Sequence, residues 1–165
     1  MRYISRAIDP QAILMATFAG AAIFLLTNIV LTPIVYDIEP QIILRYFGAL
    51  ALGPDVLLND DISILIVGVL VHVVLSFTAA ILIAFVVHRG GLLLGILGGA
   101  LLGLAIYGIN LYTLTTFVEW FFAINNNVLL LSHVLFGAVV GGVYEIFDHF
   151  DVVTLAVKEG NHAGV

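Results

Sequence analysis

The chain has 165 residues, 62 % hydrophobic and 10 % charged, with mean hydropathy +1.21 and a formal net charge of −6. Soluble domains carry about 45–50 % apolar and about 25 % charged residues, so a soluble globular protein and a disordered chain are both excluded. Five Lys and Arg against eleven Asp and Glu exclude a nucleic-acid partner, whose phosphates need cationic cover. The absence of cysteine removes disulfides, thiolate metal sites, iron–sulfur clusters and cysteine nucleophiles.

A bilayer core about 30 Å thick takes roughly 20 apolar helical residues. Residues 12–35 are the first run to qualify, without a charge. Arg2 and Arg6 give it the basic start of a signal peptide. The run is far longer than a signal core of about 7–15 residues, so it reads as a retained span. The connection 36–61 follows. Its middle, residues 41–53, is apolar, too short to cross and bracketed by Pro40 and Pro54. It predicts a helix lying in the outer interface or dipping back into it. The second span, 62–87, is interrupted only by His72. The connection at 87–91, Val-His-Arg-Gly-Gly, is so short that spans two and three should be antiparallel neighbours.

The third span, 91–118, is uncharged. The fourth, 127–147, has His133 as the one ionisable group of its apolar stretch before Tyr144. Helices are expected because lipid leaves no backbone group to be satisfied by water, and no ten-residue alternating strands of a barrel are seen. The expected architecture is an all-α integral membrane protein. A four-helix transmembrane bundle occupies residues 12–149, with an interfacial helix in its first loop. Residues 1–11 form a cytoplasmic N-terminus, and 150–165 a polar, frayed cytoplasmic tail. Arg2, Arg6, Arg89 and Lys158 fall on one side and only Arg45 on the other, which places both termini in the cytoplasm. The opposite side holds Asp37, Glu39, Asp55, Asp60, Asp61 and Glu119.

Span three carries Gly91, Gly95, Gly99 and Gly103 at strict i+4 spacing. Small residues at that spacing let helix backbones approach closely in a membrane. The contact lies either within this bundle or between protomers. Spans two and four share a pattern: His72, Ser76, Ala80 and Ala84 in one, and His133, Gly137, Gly141 and Glu145 in the other. Spans one and three match more loosely, with Asn28 nine residues before Asp37 and Asn110 nine before Glu119. The two halves would be weak parallel repeats, as some transporters have.

His72-Val-Val-Leu-Ser, the short turn, Gly91-Leu-Leu-Leu-Gly-Ile-Leu-Gly-Gly-Ala, Glu119-Trp120-Phe121 and Ser132-His133-Val-Leu-Phe-Gly137 occur in that order. Over roughly residues 71–145 this order resembles the YagU-like group of small bacterial inner-membrane proteins of unknown function. The resemblance implies a bacterial inner-membrane location. It brings no established activity and no catalytic residues.

Polar residues inside a bilayer are costly, and each is a candidate for function. His72 lies ten residues into its span, about 15 Å deep, and His133 about six residues in, about 9 Å. Asn28 and Asn110 fall in the outer third and Glu119 at the outer edge. These groups predict either a vestibule open to the outside or a buried hydrogen-bonded network. His88, Arg89, Glu145, Asp148 and His149 read as solvated helix ends.

Two functional readings follow. The first is a non-enzymatic membrane protein acting through helix association, as a homo-oligomer or as a subunit of a larger complex. Gly91, Gly95, Gly99, Gly103, Gly137 and Gly141 would then be its packing residues. The second is transport of a proton, ion or small solute using His72, since histidine changes charge near neutral pH. A haem held by histidines is a minor third. It is disfavoured because His72 and His88, like His133 and His149, are sixteen residues apart and so lie on nearly opposite helix faces. No cofactor or metal is expected. An enzyme is not expected either, because HExxH, paired intramembrane aspartates and Gly-x-Ser-x-Gly are all lacking.

Overall fold

The computed structural model describes residues 8–162. Arg2, Arg6 and the last three residues, which the orientation and tail expectations used, lie outside it. Helix α1 (Pro10–Tyr36) starts at Asp9, whose side chain accepts the Gln11 N–H at 2.8 Å, and has proline in its first turn, where the missing N–H costs nothing. Helix α2 (Ile42–Leu52) is followed by a 3-10 turn at Pro54–Leu58. Helix α3 (Ile62–Val87) is capped by Asp61, which accepts the Ser63 N–H at 2.9 Å. Helix α4 (Leu92–Tyr112) gives way to 3-10 turns at Leu114–Thr116 and Glu119–Ile124 before α5 (Asn127–His162). There is no strand among the described residues.

Four helical stretches are long and apolar enough to cross a bilayer: Pro10–Tyr36, Ile62–Val87, Leu92–Thr116 and Asn127–Asp148. The protein is an all-α, multi-pass membrane protein. The regular helix of the third span ends at Tyr112, six residues before the expected boundary, and the backbone of α5 stays helical past its apolar run to His162. Two ends of the bundle are distinguished below. The loop end holds α2 and Glu119–Ile124. The turn end holds the short α3–α4 connection.

The glycine ladder lies inside the chain, between α4 and α5. A Cβ at Gly99 would meet the carbonyl oxygen of Gly137, and one at Gly137 the carbonyl oxygen of Gly99. The same reciprocal contact joins Gly95 and Gly141, with 2.7 Å from a Cβ on Gly95 to the Gly141 oxygen, and Gly103 faces the His133 carbonyl. Backbones this close leave no room for a side chain. Gly91 is not part of the ladder. It sits in the turn with φ 78°, and a Cβ there would touch nothing.

Matching glycines make α5 the main neighbour of α4, while α3 packs on α2 and α1. Helices α3 and α4 are antiparallel, as the short turn requires, but touch only slightly. Helix α2 is packed onto the bundle as a fifth element. Gly68 of α3 lies under the Leu44 backbone, and Gly48 of α2 under the Ile64 carbonyl. Arg45 of α2 is 92 % buried, since only 8 % remains exposed. It pairs with Glu39 at 2.8 Å and with Asp60, tying both ends of the loop together.

Candidate functional site

Phe24 and Asn28 are one turn apart on α1 and both are buried. Asn28 donates through Nδ2 to the Phe24 carbonyl at 3.0 Å and to Ser132 Oγ of α5 at 2.8 Å. Ser132 in turn donates to the Val128 carbonyl at 2.7 Å. These bonds satisfy the buried polar groups locally, so Asn28 acts as a cross-link between α1 and α5.

The two intramembrane histidines come together. His72 is 3 % exposed, and its Nε2 lies 3.1 Å from the Ala21 carbonyl. A carbonyl only accepts, so that nitrogen carries the hydrogen. Ser76 Oγ lies 3.5 Å from the same nitrogen. His133 Nδ1 lies 2.8 Å from the Leu129 carbonyl, so Nδ1 carries the hydrogen and Nε2 is left as an acceptor. Asn110 Nδ2 faces that acceptor at 3.5 Å, the outer limit of a hydrogen bond. The Phe24 ring has its centroid 5.0 Å from each imidazole, and Phe47 of α2 lies 4.9 Å from His72.

These residues enclose a cavity of about 60 Å³ lined by Phe24, Phe47, His72, Leu75, Ser76, Ala79, Ile106, Asn110, His133 and Phe136. A smaller space of about 20 Å³ shares Phe24, Phe47, Asn110 and His133 and adds Phe121 and Ile124 from the loop end. Every polar lining group is uncharged or an imidazole. Residues of α3 and α4, the two helices that barely touch, both line the cavity, and Leu75 among them is 46 % exposed. Asn110, two residues before α4 ends, marks its loop-end margin.

His72, His133 and Asn110 thus share one site. Asn28 lies beside it without lining it, and Glu119 stands apart, exposed in the 3-10 turn. Sequence reasoning noted Ser76 only as a small residue and missed Phe24 and Phe47, the rings beside the imidazoles. Phe24 could have been found, being four residues before Asn28 on one helical face. Phe47 could not, because its role depends on how far α2 dips.

The turn end corrects another expectation. Glu145 is 1 % exposed and accepts the Gly91 N–H at 2.9 Å. The Tyr144 hydroxyl is 2.8 Å from His88 Nδ1, and Asp148 is 3.6 Å from the same nitrogen. Buried Tyr144 and Glu145 and partly buried His88 and Asp148 join α3, α4 and α5, where the sequence read solvated helix ends; Arg89 is exposed, as that reading had it. Burial follows because the small face of α4 draws α5 close enough for its last apolar turn to cover the α3–α4 connection. The side chain of His149 lies outside the described residues.

A haem does not fit this site. Its 60 Å³ is far below the roughly 300–1,000 Å³ of a cofactor or ligand pocket. Outside the spans, burial raises the Tyr46 hydroxyl above its ordinary value, and the Ser63 backbone N–H holds the Asp61 carboxyl below its ordinary range.

No family model, curated protein or solved structure matches this chain. Fold and site together define a multi-pass helical membrane protein with a small, largely apolar cavity onto which His72, Ser76, Asn110 and His133 face.

Proposed function

We propose that the protein passes a small solute or a proton through the cavity shared by His72, His133 and Asn110. One observation carries this reading. Residues from α3, α4 and α5 that are expensive to bury in a bilayer line one cavity, where Ser76 and Asn110 approach the imidazoles only at the 3.5 Å limit of a hydrogen bond. A purely structural network would close that space with direct hydrogen bonds, as Asn28 and Ser132 do nearby. The loop end would face outward and both termini the cytoplasm of a bacterial cell, in keeping with the charge asymmetry and the YagU-like resemblance. The reading needs no bond-making chemistry and no cofactor.

Helix association, as a homo-oligomer or complex subunit, is the weaker reading. The ladder that motivated it packs α4 on α5 within one chain.

The test is flux. Purified protein in liposomes should pass a proton or a small solute faster than protein-free liposomes, and His72→Ala should change that rate. Flux equal to that of bare lipid, or unaltered by His72→Ala, contradicts the proposal.

A further inference from the structure

We infer that the guest of this cavity is a small uncharged molecule with hydrogen-bonding groups, and that it is neither an ion nor a proton. The inference rests on the transport reading and narrows it.

Size sets the first limit. A water needs roughly 10–15 Å³ of such space, and a cavity of about 150 Å³ accommodates benzene. The 60 Å³ here is less than half of that. It admits a few waters or a molecule of the size of formamide or urea. A sugar, an amino acid or an aromatic ring is too large.

Charge sets the second. No lining residue is an acid, a lysine or an arginine. Among the described residues, Glu145 and Asp148 lie at the turn end, while Glu39 and Asp60 are engaged with Arg45 at the loop end. An ion entering the cavity would give up its hydration with no counter-charge to replace it, which is costly in a low-dielectric interior. Both imidazoles are held as donors onto helix carbonyls, His72 to Ala21 and His133 to Leu129. Neither contacts a carboxylate that would take up a relayed proton. A neutral guest meets no such penalty. It would find an acceptor in His133 Nε2, a hydroxyl in Ser76 and an amide in Asn110, with the Phe24 and Phe47 rings as apolar walls.

The experiment is a permeability panel on the full-length protein in liposomes. Stopped-flow light scattering would follow formamide, urea and glycerol, and vesicle dyes would follow protons and potassium. The expected result is several-fold faster uptake of formamide and urea than in protein-free liposomes, with glycerol, proton and potassium rates unchanged. Ala79→Phe and Ser76→Leu, which fill the cavity from α3, should each return formamide uptake to the bare-lipid rate. Proton or potassium flux without formamide or urea flux would overturn this inference and leave the transport reading standing. No flux of any species would overturn both. The wild-type panel decides between these even if a filling variant fails to fold.

Discussion

The polar side chains in the spans differ in how they are bonded, and the difference predicts how each responds to substitution. Asn28 is a cross-link whose partner, Ser132, keeps its own bond to Val128 when Asn28 is removed. Asn28→Leu should therefore cost only about 1 kcal/mol, the usual worth of an interhelical hydrogen bond in a membrane. Reversible unfolding in mixed detergent would measure it, and a Ser132→Ala, Asn28→Leu double variant should lose less than the sum of the singles, because both singles already remove the shared bond. At the start of α3, Asp61 accepts from Ser63, which lowers its carboxyl below the ordinary range. A carboxyl depressed in the folded state contributes stability that is complete above its unfolded value, about 3.9, and is lost as pH falls through the folded value. Amide exchange at Ser63 and Ile64, corrected for intrinsic rates, should rise as pH drops below about 4, and Asp61→Ala should show no such rise. His72 and Asn110 were legible in the sequence because isolated polar residues stand out in an apolar run. Phe47 was not, since apolar residues in an apolar segment give no sign of which one turns inward.

Among the helices, glycine spacing decides who packs on whom. Chain connectivity favours α3 as the neighbour of α4, but the ladder brings α4 onto α5, where Gly99 and Gly137 face each other backbone to backbone. Gly99→Ala should destabilise the protein by about 1–3 kcal/mol, the usual cost of overpacking, because a carbonyl cannot rotate out of the way as a side chain does. Gly108→Ala, where a Cβ meets nothing, should be neutral or slightly stabilising in the same unfolding measurement. The sequence showed that the ladder packs something. It could not show what, because small residues permit close approach equally well within a chain and between chains. The loose repeat gains a register match. The offset relating Asn28 to Asn110 also relates Ala21 to Gly103, and these two residues contact His72 and His133 respectively. The pairs differ in geometry: His72 approaches Ala21 through its ring, while Gly103 meets the His133 backbone. Helix α2 was visible as a short apolar run between prolines. Its docking was not, because that depends on Gly48 and Gly68 lying opposite each other in space.

On the scale of the whole molecule, the cavity lies in the loop-end half and middle of the bundle, while the turn end is closely packed. Ala80, Ile83, Ala84 and Val87 of α3 and Val140 of α5 are buried there. Beyond them lie Tyr144 with His88 and Glu145 with Gly91. On the proposed reading, passage across the membrane would require this seal to open, and the turn-end contacts are the ones that would have to break. His88→Phe, which removes the Tyr144 partner, should loosen the seal and raise basal flux. An unchanged rate would show that the seal lies elsewhere. Since α4 and α5 satisfy each other's small faces, Gly95→Leu should disturb folding of the single chain without selectively dissociating an assembly, and native mass spectrometry would separate the two outcomes. The most direct measurement is flux in liposomes containing wild-type protein, with protein-free liposomes and the His72→Ala variant as comparisons. Faster passage of a small species that changes with His72→Ala is the predicted result, and wild-type flux no greater than that of bare lipid would contradict a transport role for the cavity.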